Sequence, residues 1–117
     1  RGMFETCLKK GELIESIEFE IPQKSSYQKL KNPASRYAVV GVYVAKHKSG
    51  TIVAVTGAKS CVYNEKALSD KLSKNFTSQS IDSVKISSSE MNSDIHASAE
   101  YRANMVKVLS TKAVDAC

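Results

Sequence analysis

The chain has 117 residues, 42% hydrophobic and 25% charged, a composition that supports one globular core and excludes an intrinsically disordered segment. Its longest apolar run, Tyr37 to Ala45, is broken by Gly41 and falls short of the ~20 residues that span a bilayer, so no membrane span is expected. The formal charge of +5 comes from dispersed lysines without a nucleic-acid motif. It reads as a solvated, mildly basic surface rather than a nucleic-acid footprint.

Residues 1 to 11 read as a short helix or turn ended by Gly11. From Glu12 to Ile21 the apolar Ile17, Phe19 and Ile21 alternate with Glu18 and Glu20. This period of two predicts a strand with one buried face, stopped by Pro22. A second short strand is expected over Ser26 to Lys31, with Tyr27 and Leu30 as its apolar members. Asn32 to Arg36 contains Pro33 and predicts an ordered loop. Tyr37 to Lys46 is apolar at odd and even positions and rich in β-branched residues, the pattern of a central strand covered on both faces. Lys48-Ser49-Gly50 then turns the chain into a β-branched run, Thr51 to Thr56, giving an antiparallel hairpin.

A third short strand, Cys61 to Tyr63, extends the meander. Asn64 is expected to cap a helix reaching about Lys74, with Ala67, Leu68 and Leu72 on one side. The Ser-rich stretch from Asn75 to Met91 allows either a short strand or an irregular helical turn around Ile81, Val84 and Ile86. The last element is the clearest helix. Ser98 is its N-cap, Glu100 lies in the first turn and Lys112 near the far end, while Met105, Val106, Leu109 and Ala113 recur at helical spacing. Strands followed by helices predict an α+β fold, an antiparallel β-sheet with about three helices packed on one face.

Cys7, Cys61 and Cys117 form neither a disulfide framework nor a zinc pattern, so a reducing, cytoplasmic setting is expected. Cys61 reads as a small buried hydrophobe and Cys117 as a mobile terminal thiol. No secretory signal is present. Because the chain opens at Arg1 rather than Met, any targeting segment upstream is expected to have been cut away.

Five stretches, in order, carry a family resemblance. They are Gly2-Met3-Phe4-Glu5-Thr6 with Leu8 and Gly11 to Ile14; Tyr27-Gln28-Lys29; Asn32 to Val42; Val53 to Ala58; and Asp94 to Arg102 continuing through Val106, Val108 and Leu109 to Val114. The pairing of ASRYAVVGV with DIHASAEYR is the specific part. Together these resemble the C-terminal domain of the flavoprotein (medium) subunit of carbon monoxide dehydrogenase and related xanthine dehydrogenase-type molybdenum hydroxylases.

The resemblance implies that residues 1–117 are one C-terminal domain of a larger subunit, with 1–11 the tail of the connection from the FAD-binding domains. FAD would be held mainly by those domains and would relay electrons from the iron–sulfur clusters of a small subunit to an acceptor. Substrate oxidation would occur at a molybdenum cofactor in a large subunit, which also decides the substrate. The five glycines never fall in a G-x-G-x-x-G pattern, so this segment alone is not expected to retain FAD or any other cofactor.

In such subunits the region matching Tyr27 to Tyr37 faces the FAD domain, and a lysine matching Lys29 approaches the flavin edge. There a cation would favour the anionic reduced flavin. Arg36 is a candidate for a hydrogen-bond fork at the domain interface. Lys29 and Arg36 are thus the cofactor-proximal candidates; no catalytic or metal-ligating residue is expected. Tyr37 and Ala38 stand where xanthine-type relatives carry charged residues, which puts gating of the flavin by this loop in doubt.

Asp94 and His96 suggest a catalytic pair, but no nucleophile or substrate pocket can be argued beside them. A structural role, bonding the turn before the last helix, is the expectation. Glu100, Tyr101 and Arg102 are expected to anchor that helix, Tyr101 buried with its hydroxyl paired, and His47 is expected to be exposed. The alternative to this whole reading is a free-standing basic interaction module that binds protein or nucleic acid, the latter with steep salt dependence.

Overall fold

Four antiparallel strands follow one another across a single sheet: β1 (Lys24–Lys31), β2 (Ala38–Lys46), β3 (Thr51–Thr56) and the two-residue β4 (Tyr63–Asn64). Two α-helices, α1 (Lys66–Lys74) and α2 (Ala99–Asp115), and one 3-10 turn (Ser78–Ile81) complete the fold. The computed structural model describes Gly2 and residues 5–117. Arg1, Met3 and Phe4 lie outside the described residues, and with them part of the expected opening turn and of the first resembling stretch.

The architecture is α+β, with two α-helices among the described residues where about three were expected. The shortfall arises at both uncertain places: residues 5–11 contain only a turn at Lys10–Gly11, and the Ser-rich stretch makes one 3-10 turn. No helix among the described residues is long and apolar enough to cross a membrane.

The core follows from strand parity. In the ladder Val42 lies opposite Val55 and Val44 opposite Val53, so these side chains share a face with Val40. All five valines are fully buried against Leu68 and Leu72 of α1 and Val106, Leu109 and Ala113 of α2. Burying each such side chain contributes about 1.5–3 kcal/mol. Ile81 and Val84 from the Ser-rich stretch fill the space between the helices and are also buried, which explains why that segment folds as an irregular helical turn.

Ser69 ties α1 to the sheet. Its buried Oγ accepts from the Val53 amide at 3.0 Å and lies 2.6 Å from Asn64 Oδ1. Asn64 is therefore not the expected cap. It belongs to β4, and Glu65 occupies the N-cap position without a side-chain cap bond. Ala67, expected on the buried side, is exposed, because only Leu68, Ser69 and Leu72 turn toward the sheet.

Other expectations are corrected. β2 is the central strand, but only its helix-facing side is fully covered. On the other side Tyr43 is exposed, flanked by exposed Tyr27 and Ile52. Gly41 on that side is nevertheless buried: a Cβ there would meet the Tyr27 hydroxyl and Thr56 Oγ1, so the tyrosine ring roofs the backbone.

The strand predicted over Glu12 to Ile21 does not form, and all ten residues are exposed. A period-two pattern makes a strand only where an edge receives it. Here the chain leaves β1 across the end of the sheet: the Gln23 amide donates to Lys46 O at 2.7 Å, and Glu20 Oε2 lies 3.7 Å from His47 Nδ1. His47, expected to be exposed, is only 12% exposed at its side chain because it sits beside Glu20 and the hairpin turn. Cys61 and Cys117 are half-buried and Cys7 is exposed. The Cys117 thiol donates to Ala113 O at 3.2 Å, and burial raises its pKa, so it is held rather than mobile.

Candidate functional site at the end of β1

The end of β1, the loop to β2 and the turn before α2 converge in one corner. Asn32 organises it. Its Oδ1 accepts from the amides of Ala34 at 3.0 Å and Ser35 at 3.2 Å, and its own backbone amide donates to Tyr37 O. Asparagine holding the amides two and three residues on is the chemistry of an Asx turn. The loop then closes with Arg36 in the left-handed region at φ 62, an unfavourable conformation for a non-glycine residue. The Arg36 amide is fixed by Asn32 O at 2.9 Å, and its carbonyl accepts from Lys29 Nζ at 3.2 Å.

Asn32 is buried and reaches across the corner, its Nδ2 3.3 Å from His96 Nδ1. Since Oδ1 is occupied as an acceptor, Nδ2 is the donor and His96 Nδ1 accepts. Neutral His96 therefore carries its proton on Nε2. The Tyr37 ring meets His96 edge-on, with centroids 6.4 Å apart. Leu30, Pro33, Ile95, His96 and Tyr101 border a shallow cleft of about 510 Å³.

The turn before α2 is built by Asp94. One carboxylate oxygen accepts from the amides of His96 at 2.9 Å and Ala97 at 3.1 Å; the other accepts from Arg102 Nη2 at 2.7 Å. The carboxyl pKa is held below its ordinary value, chiefly by the His96 amide, against a desolvation penalty, with Ala97 and Arg102 adding to the lowering. Ser98 accepts from the Tyr101 amide as the expected N-cap.

Arg102 closes the network from below. It is 3% exposed, and Nη1 donates to Val39 O at 2.6 Å and Gly57 O at 3.1 Å. One guanidinium thus joins α2, the start of β2, the end of β3 and the Asp94 turn. Of the three residues expected to anchor α2, only Arg102 does so. Glu100 is exposed, and Tyr101 is 46% exposed rather than buried with a paired hydroxyl, because Arg102 takes the inward position at the start of the helix.

The two cofactor-proximal candidates, Lys29 and Arg36, are brought together, bonded to each other at the exposed rim of the corner. Asp94 and His96 are brought together as a turn, in the structural role expected. Asn32 was missed, although an Asn directly before Pro is the signal that could have identified it. Among the described residues no group of three or more His, Cys, Asp or Glu could hold a metal ion. The chemistry available here is positional: a surface cation and an exposed aromatic ring on a rigidly bonded loop. No family model, curated protein or solved structure matches the chain.

Proposed function

We propose that the chain is the C-terminal accessory domain of the FAD-containing subunit of a molybdenum hydroxylase of the carbon monoxide dehydrogenase type. It covers the flavin cleft and contributes to contacts with the FAD-binding domains, the molybdenum subunit and the iron–sulfur subunit. It performs no catalysis of its own. FAD, held by the other domains, relays electrons from the iron–sulfur clusters to an acceptor.

One observation carries the reading. The two most specific resembling stretches, residues 34–42 and 94–102, are far apart in sequence yet interlock through the Arg102 bond to Val39 O, and the Asn32–His96 contact lies at the same corner, two residues before the first stretch. Lys29, Arg36 and Tyr37 stand exposed at its rim. A buried lock behind an exposed cation and aromatic ring supports a surface shaped to meet a flavin.

The test is to express the chain with its FAD-binding portion and measure bound flavin and its midpoint potential. Flavin retained at one per polypeptide is expected, and a longer protein that binds none removes the proposal. Lys29→Met is expected to disfavour the reduced flavin. For an exposed cation a few ångströms away the effect is about 1 kcal/mol, which is ~20 mV for a two-electron couple.

A further inference from the structure

At the end of the sheet away from the Asn32 corner, strand register concentrates positive charge. Lys24 and Lys46 are Cα partners at the start of β1 and the close of β2. They continue the rows of Ser26 and Val44, so both ammonium groups leave the helix-facing side of the sheet next to each other. Like charges directly opposite on a sheet are destabilising. Lys48 follows in the β2–β3 turn, and none of the three forms an ion pair among the described residues. Lysines beside a helix C-terminus ordinarily answer its partial negative charge. Here the helices supply their own, Lys71 and Lys74 in the last turn of α1 and Lys112 in that of α2. Lys24, Lys46 and Lys48 are additional to these.

One of these cations is held in place. The Lys46 ammonium lies over the Phe76 ring, 5.2 Å from its centroid, a contact that fixes the group while leaving its N–H donors free. The turn beside it is fixed as well. The His47 amide donates to Gly50 O at 2.8 Å, and the Thr51 amide donates to Ser73 Oγ at 2.7 Å, which ties the hairpin to the end of α1. Gln23, Lys46, His47, Lys48 and Ser49 border a polar cleft of about 380 Å³. The His47 side chain is largely buried there, its Nδ1 without a hydrogen-bond partner and 3.7 Å from the Glu20 carboxylate.

We infer that this cleft binds a phosphate group, as inorganic phosphate or as the phosphate of a monoester. The three lysine ammonium groups set against the one carboxylate, Glu20, leave two positive charges unmatched. A phosphate monoester carries about −1.5 to −2 at pH 7, which balances them. No arginine borders the cleft; lysines bind phosphate as point charges, without the planar fork that selects carboxylates. Lys46, positioned by Phe76, and Lys48 meet the phosphate oxygens, and Lys24 adds its charge from the neighbouring strand. The length of β1, about 23 Å at the usual rise per residue, separates this cleft from the Asn32 loop. The inference therefore does not rest on the flavin reading.

Amide NMR spectra of the isotope-labelled 117-residue chain, titrated with inorganic phosphate, with glycerol phosphate and with sodium chloride at matched ionic strength, test this. Saturable shifts are expected at the amides of residues 46–51 with both phosphates, at a dissociation constant of about 1 mM, and none that saturate with chloride. Lys46→Met keeps the stem packed on Phe76 and should weaken phosphate about 10-fold, as loss of one charge-assisted hydrogen bond does. Lys48→Gln, at an exposed position outside the packing, gives a second reading in the same direction. Lys66→Met, at the start of α1, makes the same change in net charge as Lys46→Met and should leave affinity unaltered. An ester that binds more tightly than inorganic phosphate identifies a phosphorylated metabolite as the source; an ester no tighter identifies free phosphate. Shifts that follow ionic strength alone, or a Lys66 variant as weak as the Lys46 variant, overturn the inference. So does an oligoglutamate peptide that binds the same amides more tightly than either phosphate, which would assign the surface to an acidic protein.

Discussion

Arg102→Met retains most of the buried stem and deletes the fork that joins three segments. In the native fold Nη1 serves two carbonyls, Val39 O and Gly57 O. A hydrogen bond from a charged donor contributes about 1.5–3 kcal/mol. The two losses are unequal, since Gly57 O also accepts from Asn92 Nδ2 at 3.3 Å whereas Val39 O loses its guanidinium partner. Against them stands the cost of keeping a guanidinium buried with Nε unpartnered, which the substitution removes. The net expected loss is about 2–4 kcal/mol.

At about 2.1 cal/mol/K of unfolding entropy per residue, this chain length gives roughly 4 °C of Tm per kcal/mol, so the midpoint should fall by about 8–16 °C. Thermal melts followed by far-UV circular dichroism, with urea midpoints as a second measure, read it. Arg102→Lys keeps the charge but cannot span both carbonyls and Asp94 with a planar fork, so it should lose a substantial part of the same stability. A Met variant melting within about 3 °C of wild type, or a Lys variant equal to wild type, would refute the assignment of the corner's rigidity to this residue.

Three further outcomes are expected. Gly57→Ala should cost at least about 2–3 kcal/mol, because φ is +76 and a Cβ would lie 2.6 Å from both Ala38 O and Val39 O, backbone atoms that cannot swing aside; the melting midpoint checks it. Ser69→Ala should cost about 1–3 kcal/mol by leaving the Val53 amide without its side-chain acceptor, read by urea denaturation. Asp94 has its pKa lowered in the fold. Its contribution is therefore fully present above the unfolded value of about 3.9 and is lost as pH falls through the lower folded value. Tm measured from pH 7 down to pH 2 should show a fall below about pH 4 that is shallower in Asp94→Asn.

The elements legible in the sequence are those whose side-chain period and local punctuation agree. The valine-rich β2–β3 hairpin and the Ser98-capped α2 satisfy both, so the meander and the final helix could be read directly. The arm at Glu12–Ile21 has the period without an edge to receive it, and sequence periodicity reports which face seeks burial, not who supplies the cover. Tyr101 failed for a related reason. An aromatic ring beside an arginine suggests that the ring goes inward, but Val39 O and Gly57 O both point into the space beneath α2. Only a multivalent donor can satisfy carbonyls converging from two segments and still hold Asp94, so the arginine is buried and the tyrosine faces out. That convergence depends on strand register and the turn at Gly57, which no local window contains. The same geometry leaves Lys29, Arg36 and Tyr37 accessible at the corner's rim. The loop that carries Arg36, whose carbonyl accepts from Lys29 of β1, is held instead by the hydrogen bonds that Asn32 accepts from Ala34 and Ser35 and by the ring of Tyr37 against His96. A loop fixed in this way can present a cation at a defined position without burying it, as the proposed contact with a neighbouring domain would require.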